Sequence, residues 1–268
     1  MKAFNRNIPK IQLRDFIPPI LIRFLDKIRR AISSSSTIKT VIKHPVQYYA
    51  CPALESYSQF HEDLLIDFLL LSKGKGFYID VGSNDPVFNS NTKRFYDRGW
   101  RGINIEPARN QFEKVSSARQ RDINLNIGVG DVNGKLIFYG VDGDSTLSSF
   151  DKNVATRMAD AYALEVVESE VCVLRLADIY RDHVKGNHVD FMSVDAEGLD
   201  LDVLKSNDWD KFRPTLVMAE VDSQYHEIIE YLDKNQYLLL FNNNHNAIFL
   251  DKKASEPNLR KIVTKALS

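Results

Sequence analysis

Four carboxylates that each follow a short apolar run are the residues of this sequence best suited to chemistry. Asp80 follows "FYI", Glu106 follows "INI", Asp195 follows "FMSV" and Glu220 follows "LVMA". In open α/β sheets, ligands bind outside the carboxyl ends of the parallel strands. Because each acid stands where a strand is expected to end, we predict that the four acids converge on one crevice.

The loop after the first acid reads "DVGSNDPVFNSNT" and has one glycine, Gly82, between Asp80 and Thr92. The Gly-x-Gly-x-x-Gly pattern that binds a dinucleotide pyrophosphate is therefore missing. A nucleoside with an amino-acid tail and a sulfonium charge has different needs, and Gly82 permits its close approach to the backbone. Asp80, Ser83 and Asn84 offer hydrogen-bond partners for the ammonium and carboxylate of such a ligand.

Glu106 stands at the end of the next predicted strand, where an acid can accept hydrogen bonds from both hydroxyls of a ribose. The loop from Asp80 to Asn84 is a weak signal alone, since many strand-to-helix turns contain Asp and Gly for their turn geometry. In combination with Glu106, the loop favours S-adenosylmethionine as the ligand over a purely structural turn.

The elements that position these acids alternate regularly from about residue 60. A helical run, "QFHEDLLIDFLLLS", precedes the strand "GFYIDVG", and the helix "NTKRFYDRGW" precedes the strand "RGINIEP". Further along, "INLNIGVG" is predicted as one strand and "YLLLFNNNHNAIFLD" as a closing hairpin. Such alternation is typical of parallel βαβ units. We therefore predict an α/β fold, a mostly parallel sheet with helices on both faces and a C-terminal antiparallel hairpin.

The composition is that of an ordinary globular protein. The chain has 268 residues, of which 44% are hydrophobic, and 35 basic residues stand against 36 acidic ones, so no basic field for nucleic acid is expected. Cys51 and Cys172 are too far apart in sequence to suggest a disulfide framework or a zinc site. This cysteine usage favours a reducing cytoplasm.

An amphipathic segment, "IPPILIRFLDKIRRAI", occupies residues 17–32. Two prolines and several charges interrupt it, so it is predicted neither to span a bilayer nor to act as a signal peptide. The favoured interpretation is a helix that packs on the main domain or on a second subunit. The alternative is peripheral contact with the inner face of a membrane.

Several motifs together resemble the FkbM-type S-adenosylmethionine-dependent methyltransferases, from about Tyr57 to Val221. They are "YSQFHED", "YIDVGSNDPVFNSNT", "GWRGINIEP", "RDINLNIGVGDVNGKLIFY", "LRLADI" and "VDFMSVDAEGLDLDVLK". The resemblance implies a Rossmann-like class I methyltransferase fold and O-methylation of a sugar or natural-product hydroxyl. We accordingly divide the chain into an N-terminal helical extension, residues 1–55, and a methyltransferase domain, residues 56–268.

The resemblance also implies which residues bind the cofactor. The methionine end would meet Asp80, Gly82, Ser83 and Asn84, the ribose would meet Glu106, and the adenine would meet the strand with Asn126 and Gly128. Pro86 stands where many family members have glycine. Since proline fixes φ and lacks an amide donor, a backbone contact at this position is in doubt.

Methyl transfer to a hydroxyl is an in-line displacement whose acceptor proton must go to a base or be acidified by a metal. Asp195 and Glu197 in "VDAEG" are candidate catalytic residues. One hypothesis places Mg²⁺ between Asp195, Glu220 and Asp222, since hard oxygen ligands suit this ion. The other is a metal-free site in which Asp195 orients or deprotonates the acceptor and Glu197 caps the next helix.

His226 is an alternative base, because an unperturbed imidazole titrates near neutral pH, although a histidine on a helix surface is the competing interpretation. The polar loop "VDGDSTLSSF", Val141 to Phe150, is predicted to recognise the acceptor.

The sequence as a whole predicts a cytoplasmic S-adenosylmethionine-dependent O-methyltransferase acting on a sugar hydroxyl in polysaccharide or glycoside biosynthesis. One alternative is a nicotinamide-dependent oxidoreductase, which the missing glycines disfavour. The other is a non-catalytic, membrane-associated partner of a glycan-assembly complex that acts through residues 1–45.

Overall fold

The structure, a computed structural model, describes residues 55–71, 73–142 and 145–267. The described residues fall into two units, 55–254 and 255–267, and each is treated by itself. The predicted N-terminal extension, with the amphipathic segment at 17–32, lies outside the described residues apart from Glu55.

Eight α-helices are found in the described ranges. In chain order they are α1 Glu62–Leu69, α2 Lys93–Asp97, α3 Arg109–Ala118, α4 Lys152–Tyr162, α5 Leu176–Ile179, α6 Asp200–Lys205, α7 Tyr225–Lys234 and, in the second unit, α8 Pro257–Leu267. A 3₁₀ turn covers Ser145–Leu147, and α5 continues as a π-helical turn, Tyr180–Val184. None of these helices combines the length and the apolar character that crossing a membrane requires.

Ten strands are found in the same ranges. They are β1 Phe77–Val81, β2 Arg101–Ile105, β3 Ile123–Leu125, β4 Gly128–Val129, β5 Gly134–Val141, β6 Val166–Leu174, β7 Phe191–Val194, β8 Leu216–Glu220, β9 Tyr237–Asn242 and β10 Asn246–Asp251.

Seven strands form the main sheet in the order β3-β2-β1-β7-β8-β10-β9. The first five in this order are parallel to one another, whereas β10 is antiparallel to both β8 and β9. The predicted Rossmann-like α/β sheet with its C-terminal antiparallel hairpin is therefore confirmed. β1, β7 and β8 are buried along almost their whole length, as parallel strands covered on both faces must be.

The side chains of successive residues in the central strands point to opposite faces of the sheet. Ile79 of β1 belongs to one hydrophobic cluster with Leu204 of α6 and Ile228 of α7. On the opposite face, the ring of Phe95 in α2 lies 5.4 Å from that of Phe191 in β7 and 5.0 Å from that of Trp100. Helices thus cover both faces, as predicted.

A second sheet, in the order β4-β6-β5, comes from the chain between the third and fourth strands of the main sheet. The prediction of one strand over "INLNIGVG" is wrong, because β3 joins the main sheet and β4 the second one. Asn126 separates them, and its amide donates to the carbonyls of Glu106 and Pro107 at 2.9 and 3.0 Å. A side chain that bonds the backbone in this way competes with a continuous strand ladder.

Candidate active site

The ends of β1, β2, β7 and β8 bring the predicted acids together. The amide of Gly82 donates to Ile105 O of β2 at 3.0 Å, and the amide of Asp195 donates to Val81 O at 3.0 Å. Asp195 therefore lies beside the end of β1. The charges of Glu220, Asp80, Glu106 and Asp222 all bear on it and, after burial, raise its pKa. The acids form one electrostatic cluster at the carboxyl edge of the main sheet.

Asp80 is buried on the face of the sheet that α2 covers. Its Oδ2 accepts a 2.6 Å hydrogen bond from Thr92 Oγ1. Burial raises the pKa of Asp80 to about 6, against the opposing effects of the Thr92 hydrogen bond and the Arg119 charge. The carboxyl is therefore close to its ionisation point near neutral pH and sensitive to its surroundings.

Gly82 and Ser83 turn the chain out of β1. Gly82 has φ +78°, and a Cβ built on it would lie 1.8 Å from the carbonyl oxygen of Asp195. The fold itself thus requires glycine at this point, whatever binds nearby. Ser83 donates its amide to Ile105 O at 3.1 Å, and its hydroxyl makes a weaker 3.5 Å contact with the same oxygen.

Glu106 is held by two backbone amides. Asn84 N–H donates to Oε2 and Ala108 N–H donates to Oε1, each at 2.8 Å. Burial raises the pKa of Glu106 to about 7, although both hydrogen bonds oppose the shift. Each oxygen retains a lone pair for a further donor. Asn84 also accepts a 2.6 Å hydrogen bond from Ser145 Oγ at Oδ1, which ties the loop predicted to recognise the acceptor to the predicted cofactor turn.

The two residues predicted to meet the adenine have structural partners. Asn126 anchors the turn after β2, as described above. Gly128 opens β4, where an added Cβ would lie 2.5 Å from the ring of Phe150. Their contact with a cofactor stays a prediction.

Asp195 and Glu220 form a close carboxyl pair. Burial is the largest cause that raises the pKa of each, and a hydrogen bond from Asp195 partly offsets the shift in Glu220. Two neighbouring carboxyls of this kind share a proton rather than ionise together. The role of Asp195 toward an acceptor hydroxyl stays a prediction.

The side chain of Asp200 bonds the turn before α6. Asp200 Oδ1 accepts the amide of Ala196 at 2.9 Å, and Oδ2 accepts that of Gly198 at 3.2 Å. Burial and the charge of Asp195 raise the pKa of Asp200 to about 7. Glu197 lies outside α6, before its first turn, with φ +50°, and its capping role stays a prediction. Asp200 comes two residues after Gly198 in the motif "VDFMSVDAEGLDLDVLK", so its role in this turn could have been predicted from the sequence.

The geometry gives the Mg²⁺ hypothesis no support. Within the described ranges, Asp195, Glu220 and Asp222 do not bring three ligand oxygens within 4.8 Å of one another. Asp222 instead places Oδ2 2.8 Å from Nδ1 of His245.

His245 is a residue that sequence reasoning missed. β10 pairs with β8 so that Asn246 faces Glu220, and this register brings His245 beside Asp222. Its ring stacks on Phe60 with centroids 5.0 Å apart. His226, the predicted alternative base, is exposed in the first turn of α7 against the ring of Tyr225. The sequence did not point to His245, because turn geometry alone explains the asparagine-rich turn that contains it.

The tip of the β9–β10 hairpin is firmly fixed. Glu62 Oε1 accepts the side-chain amides of Asn243 at 3.1 Å and Asn246 at 2.9 Å, and Oε2 accepts the amide of Phe60 at 2.9 Å. The same buried carboxylate therefore bonds the backbone of Phe60 and the asparagines on either side of His245.

Comparison with known proteins adds a family. Residues 80–239 match the model of the methyltransferase FkbM domain, and this stretch contains all four strand ends described above. Among curated proteins, Methyltransferase 1 of Beauveria bassiana is 29% identical over 187 residues, which cover 60% of this chain and 73% of that protein.

Solved structures show more distant similarity. A methyltransferase from Geobacter sulfurreducens matches 88% of this chain and 98% of its own, with a TM-score of 0.39 and 12% identity. The O-methyltransferase from Bacillus cereus in complex with SAH matches 86% and 76%, with a TM-score of 0.32 and 11% identity. Similarity at this level transfers no functional property to the chain.

Proposed function

Because the chain belongs to the FkbM methyltransferase family, we propose that it transfers a methyl group from S-adenosylmethionine to an acceptor hydroxyl at the carboxyl edge of the main sheet. The observation that carries the proposal is the cluster of buried and partly buried acids there. In the described part of the chain, no lysine or arginine forms an ion pair with Asp80, Glu106, Asp195 or Glu220. Buried and partly buried carboxylates without an ion-pair partner suit a ligand that brings its own positive charge.

The donor set fits S-adenosylmethionine. When bound, this cofactor supplies an electrophilic methyl group on a cationic sulfonium. Asp80, near the end of β1, offers a carboxylate for the ammonium, and Thr92 holds one of its oxygens. Glu106 presents one free lone pair on each oxygen, in an orientation set by two amides, which suits the paired hydroxyls of a ribose.

We propose that Asp195 and Glu220 orient the acceptor hydroxyl through their shared proton. His245 is better equipped than His226 to take the hydroxyl proton, because Asp222 lies 2.8 Å from its Nδ1. In the tautomer with the proton on Nδ1, the lone pair of Nε2 is free to accept.

A sugar hydroxyl, in polysaccharide or glycoside biosynthesis, is our proposed acceptor. The stacked rings of Phe60 and His245 lie beside Asp222, and an aromatic face next to a carboxylate suits the apolar face and the hydroxyls of a sugar ring. A cytoplasmic setting, with contact to a membrane or a subunit through residues 17–32, is likewise a proposal.

Isothermal titration calorimetry with S-adenosylmethionine tests the cofactor. We expect saturable binding by the wild-type protein and its loss in Asp80→Ala and Glu106→Ala. Asp97→Ala is the matched control, since Asp97 lies in α2 in an exposed pair with Lys93. Unaltered affinity in both site variants would remove the site assignment. A rise in melting temperature with NAD(P)H but not with S-adenosylmethionine would favour the oxidoreductase instead.

Methyl transfer from radiolabelled S-adenosylmethionine to a panel of monosaccharides and glycosides tests the acceptor class. With an acceptor in hand, Asp195→Asn should lose turnover and keep the wild-type dissociation constant for the cofactor. Asp202→Asn, in an exposed pair with Lys205, should retain both. Full activity of Asp195→Asn would exclude this residue from the mechanism.

A further inference from the structure

A buried arginine lies beneath the predicted cofactor loop. Arg119, at the C-terminal end of α3, is only 2% exposed. No acid in the ranges that the structure describes forms an ion pair with it, so its charge is not neutralised by direct contact. Burying a guanidinium without a carboxylate partner is costly, and such a group is retained where its charge or its donors serve a purpose.

The donors of Arg119 are directed at one segment, the loop of residues 86–92. Its Nη2 donates to Pro86 O at 2.7 Å and to Ser90 Oγ at 3.0 Å, and its Nη1 makes a longer 3.5 Å contact with Thr92 O. The guanidinium also lies 4.8 Å from the ring centroid of Tyr96. One side chain therefore holds both ends of the loop that follows Asp80 to Asn84.

These contacts are compatible with Pro86. A proline lacks an amide donor, but Arg119 uses its carbonyl oxygen, which proline retains.

The charge of Arg119 acts on Asp80. Thr92 connects the two, since its hydroxyl donates to Asp80 Oδ2 and its carbonyl faces Arg119. Asp122 is a second acid near this guanidinium, and its own charge opposes the ionisation of Asp80. The negative charges of Glu106 and Asp195, at the proposed cofactor site, also oppose the ionisation of Asp80. Among the described groups whose charges affect the ionisation of Asp80, Arg119 is the one cation.

We infer that Arg119 is a positioning residue of the cofactor site, which holds the loop of residues 86–92 in place and supplies the positive charge that keeps Asp80 a carboxylate for the cofactor ammonium. The inference rests on the proposed S-adenosylmethionine site. Removing the charge shifts the ionisation of Asp80 to higher pH, so the weakened binding should recover as the pH rises.

The test is calorimetry of S-adenosylmethionine binding from pH 6 to 8.5 with wild type, Arg119→Met and Arg119→Lys. An opposite charge shifts the pKa of a carboxyl by about 1 to 3 units. Arg119→Met should therefore bind about tenfold more weakly than wild type at pH 7 and within about threefold at pH 8.5. Arg119→Lys keeps the charge and loses the fork of donors, so its ratio to wild type should stay constant over this range.

Two matched controls separate this effect from general damage. Arg121→Met removes an exposed arginine that stacks on the same ring of Tyr96, at 3.8 Å. Arg213→Met removes a half-buried arginine paired with Asp251, next to the amino end of β8. Both should keep the wild-type pH profile, even where Arg213→Met lowers the melting temperature.

The inference is overturned if Arg119→Met binds S-adenosylmethionine as tightly as wild type. It is also overturned if the affinity of Arg119→Met, like that of Arg119→Lys, lies below that of wild type by the same factor at every pH. If Arg119→Met does not fold, Arg119→Lys decides the question: an affinity that stays in constant ratio to that of wild type over this pH range would support the role of the charge, and a ratio that changes with pH, or abolished binding, would refute it. Failure of the wild-type protein to bind S-adenosylmethionine would instead remove the proposed function, and the inference with it.

Discussion

Glu106 is a carboxylate prepared by the backbone for two more donors. The amides of Asn84 and Ala108 fix one lone pair on each oxygen. The side chain is buried, yet its position is set by the turns after β1 and β2 rather than by an ion pair. Replacing it with an isosteric amide tests whether both oxygens are needed.

We expect Glu106→Gln to weaken S-adenosylmethionine binding by about ten- to a hundredfold, because hydrogen bonds to a charged group contribute about 1.5 to 3 kcal/mol. The new NH₂ must also face one of the two amide donors. Calorimetry at pH 8 measures the change, and Glu113→Gln, in an exposed pair on α3, is the control. Equal affinities would show that Glu106 does not bind the ribose.

The wild-type affinity should also depend on pH through this group. The pKa of Glu106 is raised to about 7, and the carboxylate is the form that accepts from hydroxyls. Binding should therefore weaken as the pH falls from 8 to 6, and this part of the dependence should disappear in Glu106→Gln.

Substitutions of His245 and of His226 can be compared to decide which of the two histidines is the base. With an acceptor identified, His245→Asn should lower turnover by about a hundredfold or more, the size of a general-base effect. The dissociation constant for S-adenosylmethionine should not change. If His226→Asn has the larger effect, the exposed histidine of α7 is the base and the Asp222 pair is a surface contact.

The four strand-end acids could be predicted because each follows an apolar run, which fixes its place in a parallel sheet. His245 could not, since its partner Asp222 is set by the antiparallel register of β10 on β8. Arg119 lies in no motif and bonds mainly to backbone oxygens, which any sequence would supply. Side chains whose partners are backbone atoms leave no pairwise trace in one sequence.

Among the elements, the ends of β1 and β7 approach so closely that Gly82 has no alternative. The Cβ of any other residue would meet the Asp195 carbonyl, and φ +78° adds strain for residues other than glycine. The geometry of the two turns therefore depends on one missing methyl group.

We expect Gly82→Ala to lower the free energy of unfolding by more than about 3 kcal/mol, through both the clash and the backbone conformation. Gly186→Ala provides the comparison, because Gly186 has φ +81° but nothing within 4 Å of an added Cβ. It should cost about 1 to 2 kcal/mol. Urea denaturation of both variants measures the difference, and equal losses would show that the approach of the two strands is relaxed at little cost.

The long apolar strands and the closing hairpin were predictable, whereas the second sheet was not. β3 has three residues and β4 has two, too few to show a period of their own. The chain passes from the main sheet to the second one at Asn126, whose side-chain amide bonds the backbone there.

For the molecule as a whole, the acid cluster should make stability depend on pH. Burial raises the pKa to about 6 in Asp80 and to about 7 in Glu106 and Asp200, and raises it in Asp195 and Glu220. Between the ordinary carboxyl range near pH 4 and these values, the folded protein binds more protons than the unfolded chain. The free energy of unfolding therefore falls as the pH rises through this window.

We expect the melting temperature of the ligand-free protein to fall by about 5 °C or more between pH 5.5 and 8. Saturating S-adenosylmethionine should raise it more at pH 8 than at pH 5.5, because a cation stabilises ionised acids. S-adenosylhomocysteine, which lacks the sulfonium charge, should show the weaker pH dependence. Differential scanning calorimetry measures all three, and a ligand-free melting temperature that rises over this range would contradict the assignment.

The position of β1 inside the sheet, between β2 and β7, also sets an order of events during synthesis. β1 pairs on one side with β2, which follows closely, and on the other with β7, and Phe77 donates its amide to Asp190, 113 positions later. Contacts so distant in sequence form slowly. On the ribosome, the predicted cofactor loop emerges while the strand that completes its support is still untranslated. A nascent chain interrupted before β7 would therefore expose the unpaired edge of β1, a surface that chaperones and proteases recognise.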